Sequence, residues 1–333
     1  MPKSQDNTSN FIDFPTISTV VKAEFLEVDH IIYQELGSNV PFIYEVGHYI
    51  TKSGGKRLRP LVTLLSALAC GYSGKDHLKV AAITELLHTA TLLHDDVVDG
   101  SDLRRGKATV NAKWNNAAAI LVGDFLVSRS FQMIVDVGNI SLMKILADAA
   151  NFITEGEVLQ MVNAKNPETT EESYLEVIRY KTGKMFEVAA QAGPVLAKSD
   201  KKIESAMVLY AHHLGGAFQL IDDFLDYSSD SKTLGKNIGD DLAEGKPTLP
   251  LIYAIKHGTK AESDLLKDCI RNGSLDKLSQ ILEIIERTGA MDYTKNMAIS
   301  EAEKAIIQCG NLENSKYKTA LQNLASYSIK RSY

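Results

Sequence analysis

Residues 78–94 and 206–221 carry few charges, and each stretch runs into an aspartate triplet of the same spacing, Asp95-Asp96-x-x-Asp99 and Asp222-Asp223-x-x-Asp226. A helix that is apolar nearly all round sits inside a bundle. A chain with two such helices must build its core around them and carry both triplets at helix ends. Aspartate at a helix C-terminus opposes the macrodipole, and a carboxylate beside apolar surface is costly unless something neutralises it. One triplet alone would be an ordinary solvated helix cap. Two copies of one spacing on two core helices point to a shared positive ligand.

The rest of the chain is read as helical. Helical spacing runs through 78–99, 116–136, 140–163, 171–197, 202–227, 248–257, 274–288, 290–308 and 313–330. Breakers fall between them at 52–60, 99–107, 165–172, 234–250 and 271–276. Strand-like alternation with Asn-Gly or Asp-Gly hairpin turns is absent from the sequence. Length alone suggests about two domains, but no Pro-, Gly- or Ser-rich linker divides the chain. The expectation is an all-α fold: a polar tail over residues 1–18 and one large helical bundle over 19–333.

Composition narrows the function. A formal net charge of −6 argues against a nucleic-acid partner, which leaves a basic footprint. Cys70, Cys269 and Cys309 are widely spaced and odd in number, with no CxxC pair, which argues against a disulfide framework or a zinc site and fits a cytoplasmic protein. The N-terminus lacks the basic start and apolar run of a signal peptide. No stretch of about 18 apolar residues is read as a transmembrane segment.

Residues four apart share a helix face, so Asp95 and Asp99 point the same way. Thr84, His88, Thr91, Asp95 and Asp99 form a polar stripe. Gln219, Asp222 and Asp226 are expected to share a face of the second helix. Opposed carboxylate clusters suit Mg²⁺, which binds one or two carboxylates together with substrate phosphates. Several such ions would bridge one diphosphate. The basic residues Lys56, Arg57, Arg59, Arg104, Arg105, Lys181, Lys236 and Lys246 are singly unremarkable surface cations. As a set beside the aspartates they suit a second diphosphate held without metal.

The ordered motifs "GGKRLRP", "LLHDDVVDGSDLRRGKATVN", "VGDFL", "EGEVLQ", "YKTGKMFE", "FQLIDDFLDY" and "GKNIGDDLAEGKPTLPL" resemble those of the trans-polyprenyl diphosphate synthases, most closely the bacterial octaprenyl type. The resemblance runs from about residue 20 to the C-terminus. It implies the isoprenoid-synthase bundle with a central apolar tunnel, and a homodimer. It implies catalytic roles for Asp95, Asp96, Asp99, Arg104, Lys181, Asp222, Asp223 and Asp226, with Asp95, Asp99 and Asp222 as the Mg²⁺ ligands. Arg104, Lys181, Thr182, Gln219 and Lys236 would meet an allylic diphosphate such as farnesyl diphosphate. Lys56, Arg59, His88 and Arg105 would hold isopentenyl diphosphate. The implied product is a long polyprenyl diphosphate for a quinone side chain, and a lipid product raises the expectation of a peripheral membrane contact at release.

Ala90 and Thr91 lie about one helical turn before Asp95. Short-chain relatives carry an aromatic residue at one of these positions, which blocks the tunnel; both are small here, so a long product is expected. Phe131, Met133 and Ile134 are candidates for the tunnel floor, with plain core packing as the alternative. Octaprenyl is the expected length. The rival readings are another length between geranylgeranyl and decaprenyl, or a non-catalytic partner subunit of a heteromeric synthase.

Overall fold

The computed structural model describes residues 13–52, 54–228 and 238–330, and among them the chain is helical almost throughout. The first half contains α1 (Phe14–Thr19), α2 (Lys22–Glu35), α3 (Pro41–Thr51), α4 (Leu58–Ala69) and α5 (Asp76–Val98). A two-stranded hairpin of β1 (Leu103–Arg104) and β2 (Lys107–Ala108) follows, then α6 (Val110–Lys113), α7 (Asn116–Val137), α8 (Ile140–Asn163) and α9 (Glu171–Ile178). A π-helical turn, Arg179–Gly183, leads directly into α10 (Lys184–Leu196), and α11 (Lys201–Asp226) completes the central set. Beyond it lie α12 (Asp240–Ala243), α13 (Leu249–His257), α14 (Lys260–Asn272), α15 (Leu278–Arg287), α16 (Ala290–Gln308) and α17 (Lys316–Ser328).

The two apolar helices are the centre of the bundle. α5 packs against α2, α4, α7 and α10, and α11 packs against α10, the π turn and α16. Side chains such as Ile83, Leu86, Leu93, Tyr210 and Leu214 are fully buried in one main core. A smaller core formed by Ile178, Leu220, Ile221, Leu225, Leu249 and Ile252 lies beneath the second aspartate triplet. Helix starts are set by side-chain caps: Asn115 accepts from Ala118 N at 2.8 Å and Asp200 from Ile203 N at 2.8 Å.

Several expectations need correction. The stretch read as a tail contains α1, whose Ile17 is buried in the main core. The breaker assigned to 52–60 already contains the first turn of α4, because Pro60 is tolerated in a first helical turn. The region read as one helix over 171–197 is interrupted by the π turn. A hairpin does exist: Leu103 pairs with Ala108 and Arg104 with Lys107. Its turn residues are Arg105 and Gly106, at φ +53° and +72°. Two positive φ values make a primed turn, and an arginine in the first position hid it. By length and composition alone α7 resembles a membrane span, a test that a core helix of a bundle passes equally well. In the fold it packs against α5 and α8.

Candidate active site

The first triplet ends α5, and its three carboxylates have three different partners. Asp95 Oδ2 lies 3.2 Å from Lys181 Nζ on the π turn. Asp99 Oδ2 lies 3.1 Å from Lys246 Nζ in the loop before α13. Asp96, between them, is only 2% exposed and accepts from Arg104 Nε of the hairpin at 2.8 Å. Burial pushes the Asp96 carboxyl above its usual range, opposed by Arg104. Burial also works against the charge of Lys246, but Asp99 and Glu244 outweigh it and hold the ammonium protonated. The cations supplied from three other elements offset the unfavourable position of these aspartates at the helix end.

The residue before the triplet is clamped. His94 Nε2 sits 3.2 Å from the Ile120 carbonyl oxygen and 3.5 Å from Asp124. Gly123 of "VGDFL" leaves the room, since an added Cβ would collide with the His94 ring. The glycine therefore allows α7 to approach the end of α5.

On α11 the second triplet is split between solvent and core. Asp222 is exposed, whereas Asp223 and Asp226 are buried. Asp223 accepts from the Tyr174 hydroxyl and from Gln219 Nε2, the latter at 2.8 Å. Burial, with Asp241 and Asp222 adding repulsion, pushes the Asp223 pKa up to about 8. Asp226 accepts from Asp241 N at 3.3 Å. Gln219 therefore engages Asp223, one turn on, through its side-chain amide.

The π turn positions Lys181 and Thr182. A Cβ on Gly156 of α8 would lie 3.0 Å from Lys181 N, and one on Gly215 of α11 would lie 3.1 Å from Gly183 Cα. The turn is thus wedged between two helices that could not approach so closely with larger residues. Single π turns concentrate at functional sites. Here it sends Lys181 toward Asp95 and Glu157, and Thr182 toward Gln219 Oε1 at 3.1 Å.

Two clefts result. One, of about 160 Å³, is lined by Lys181, Thr182, Gln219, Asp223, Asp241 and Lys246, with Gln160, Asn163 and Tyr174. The other, of about 50 Å³, is lined by Arg57, His88, Arg104 and Arg105, with Glu85 and Asp96. Arg104 therefore borders the second cleft, and its contact with the first triplet is through Asp96. His88 is kept neutral: burial first, then Arg59 and Arg105, hold its pKa well below the ordinary value. Half-buried Arg59 lies over the Phe186 ring at 4.8 Å, its Nε without a partner among the described residues. Lys56 lies over the Tyr327 ring at 5.1 Å. Lys236 lies outside the described residues.

The chain-length candidates are not brought to either cleft. Ala90, Met133 and Ile134 are buried in the main core, and Phe131 packs on it. The hydroxyl of half-buried Thr91 donates to the His88 carbonyl at 2.9 Å. Sequence reasoning missed Glu85, Glu157, Gln160, Tyr174 and Asp241. Glu157 and Gln160 lie in "EGEVLQ", so their motif was visible although their role was not. Tyr174 gave no local signal.

Residues 40–286 match the polyprenyl synthetase family. The chain belongs to that family. Its relatives include octaprenyl diphosphate synthase of Escherichia coli K12, 45% identical over 316 residues, covering 95% of this chain and 98% of the relative. The all-trans-nonaprenyl-diphosphate synthase (geranyl-diphosphate specific) of Rhodobacter capsulatus is also 45% identical, covering 96% and 99%. A solved polyprenyl synthase from Caulobacter crescentus CB15, complexed with calcium and isoprenyl diphosphate, superposes with a TM-score of 0.93 at 38% identity, covering 97% of this chain and 99% of that one. The all-α isoprenoid-synthase bundle and the prenyltransferase class expected from the sequence are borne out. The protein is a long-chain trans-polyprenyl diphosphate synthase, closely related to the bacterial octaprenyl diphosphate synthases.

Proposed function

We propose that the enzyme extends an allylic diphosphate such as farnesyl diphosphate with isopentenyl diphosphate units to octaprenyl diphosphate, for a quinone side chain. The observation that carries the assignment is the pairing of Asp95 and Asp99 with Lys181 and Lys246, two lysines that line the larger cleft. Carboxylates and cations alternate there, as an anionic substrate carried by a hard cation requires. Among the described residues, no three Asp, Glu, His or Cys side chains gather to hold a metal by themselves. That fits Mg²⁺, which takes one or two carboxylates and completes its shell with waters and substrate phosphates. Asp95 and Asp99 would hold it from α5 and Asp222 from α11. When bound, Mg²⁺ neutralises charge on the leaving diphosphate.

Lys181, with Thr182 and Gln219 behind it, receives the allylic diphosphate. The C1–O bond breaks and its electron pair stays on the diphosphate, where the preorganised ammonium stabilises the growing charge. His88 and Arg105 on the second cleft, with Arg59 close to both, hold isopentenyl diphosphate, and Lys56 is assigned to the same diphosphate. Its double bond supplies the electrons of the new carbon–carbon bond to the allylic C1. A proton then leaves the carbon next to the resulting cation, and the departing diphosphate accepts it. Asp96 and Asp223 are supporting groups in this reading: each is buried and hydrogen-bonded, and each fixes a neighbour, Arg104 and Gln219. The growing chain runs past Ala90 and Thr91 toward Phe131, Met133 and Ile134.

A homodimer contact is placed on α7 and α8, where Leu121, Val135, Val158, Met161 and Val162 are exposed. Three free thiols, Cys70, Cys269 and Cys309, fit a cytoplasmic setting. A nonaprenyl product is the competing outcome, because the Rhodobacter relative is as similar as the Escherichia one. The assignment is tested with Asp95→Ala and Asp99→Ala. Both are expected to abolish elongation and retain the fold, and full activity in either would refute the role given to the first triplet.

A further inference from the structure

Lys181 holds two carboxylates at once. Its Nζ is 3.2 Å from Asp95 Oδ2 and 2.7 Å from Glu157 Oε2. The second partner lies on α8, which contributes none of the six motif aspartates. Glu157 follows Gly156, where α8 and the π turn touch backbone to backbone, so its side chain emerges beside Lys181. Its other oxygen, Oε1, is buried and has no partner among the described residues. A buried acceptor left unmade is destabilising, so the ion pair with Lys181 is what holds this carboxylate in place.

We propose that Glu157 is a positioning residue that keeps the Lys181 ammonium available for the allylic diphosphate. The inference rests on the reading that Lys181 meets that diphosphate. Asp95 is the carboxylate a divalent cation would claim, and a lysine bound to Asp95 alone would compete with that cation. A lysine is a mobile point charge on a flexible stem. Glu157 gives it a second anchor, at the shorter of the two distances. When Asp95 turns to the cation, Lys181 stays tethered through Glu157 within reach of the cleft. Without Glu157 the ammonium falls onto Asp95, and cation and substrate must both displace it.

The test is a double-mutant cycle on binding and turnover. Wild type, Glu157→Gln, Lys181→Ala and the double variant are titrated with a non-hydrolysable farnesyl thiodiphosphate in the presence of Mg²⁺. KM is measured separately for farnesyl and isopentenyl diphosphates. Glu157→Gln is expected to weaken analogue binding and raise the Mg²⁺ concentration for half-maximal binding by about tenfold. The KM for isopentenyl diphosphate and the thermal midpoint should hold. The same change on the Lys181→Ala background should add less than about twofold, because the two residues act as a unit. Glu157→Asp, which keeps the charge, should recover most of the binding. Full additivity, an unaffected Glu157→Gln, or failure of Glu157→Asp to rescue would overturn the inference while leaving Lys181 in place. Unchanged binding in Lys181→Ala would remove the underlying reading and the inference together.

Discussion

Arg104 grips a single oxygen of Asp96: its Nε donates to Oδ1 at 2.8 Å and its Nη2 lies 2.7 Å from the same atom. The middle residue of the first triplet thus faces the hairpin, while Asp95 and Asp99 face the lysines of the larger cleft. One helical turn divides its carboxylates between a structural pair and a ligand face, and the hairpin that carries Arg104 also carries Arg105 to the second cleft.

Replacing Arg104 with leucine would leave Asp96 buried without its charge partner. An unsatisfied buried group costs roughly 1–3 kcal/mol. Arg104 is 35% exposed, so screening places the loss toward the low end of that range. Asp96→Asn, which keeps an acceptor for Arg104, should be milder in stability and retain measurable turnover. Denaturant unfolding of the two variants checks this, and equal losses would contradict the asymmetry.

Gly123→Ala should disturb the first triplet from outside. The new methyl group would press on the His94 ring, next in sequence to Asp95. Overpacking a tight contact costs about 1–3 kcal/mol, and the displaced ring should carry Asp95 with it. We expect a drop in kcat larger than the fall in thermal stability alone would produce. Unchanged kcat would show that the His94 contact does not set the position of Asp95.

His88 gives a pH signature. Its folded-state pKa is depressed by burial and by Arg59 and Arg105, so protons bind it in the unfolded chain first. Its contribution to stability is present above the unfolded value of about 6.5 and is lost as the pH falls below it. His88→Gln should flatten that acid limb. Urea titrations on both sides of this pH would reveal the difference, and identical pH slopes for wild type and variant would contradict a neutral buried imidazole.

The central helices were legible because their signal is local: apolar residues at helical spacing, then a repeated triplet. What lay outside the sequence reading depends on contacts across the chain. The hairpin escaped because its turn uses Arg105 where asparagine or aspartate is the usual marker. The π turn escaped because nothing within "RYKTG" demands it; Gly156 and Gly215, on two other helices, make room for it. Glu157 and Tyr174 acquire their roles only when α8 and α9 fold against the π turn and α11. How deeply each member of a triplet is buried follows from which neighbour approaches, a matter that residue spacing alone does not decide. α2 and α14 were passed over because charges flank narrow apolar stripes, whereas α3 and α4 are mainly apolar and were missed although their signal was present.

Ala90 is fully buried, and Ala90→Phe should shorten the product if the growing chain passes that point. The phenylalanine also strains the core by about 1–3 kcal/mol, so thermal stability must be recorded alongside. A shorter product from a folded variant supports the path. An unchanged product length from a folded variant would move the path to another face of α5.

The most direct measurement is the product itself. Purified enzyme is supplied with Mg²⁺, farnesyl diphosphate and labelled isopentenyl diphosphate, and the dephosphorylated products are sized beside Asp95→Ala. A dominant octaprenyl product in the wild type and none in the variant is the predicted result. No elongation by the wild type, or full elongation by Asp95→Ala, would contradict the account.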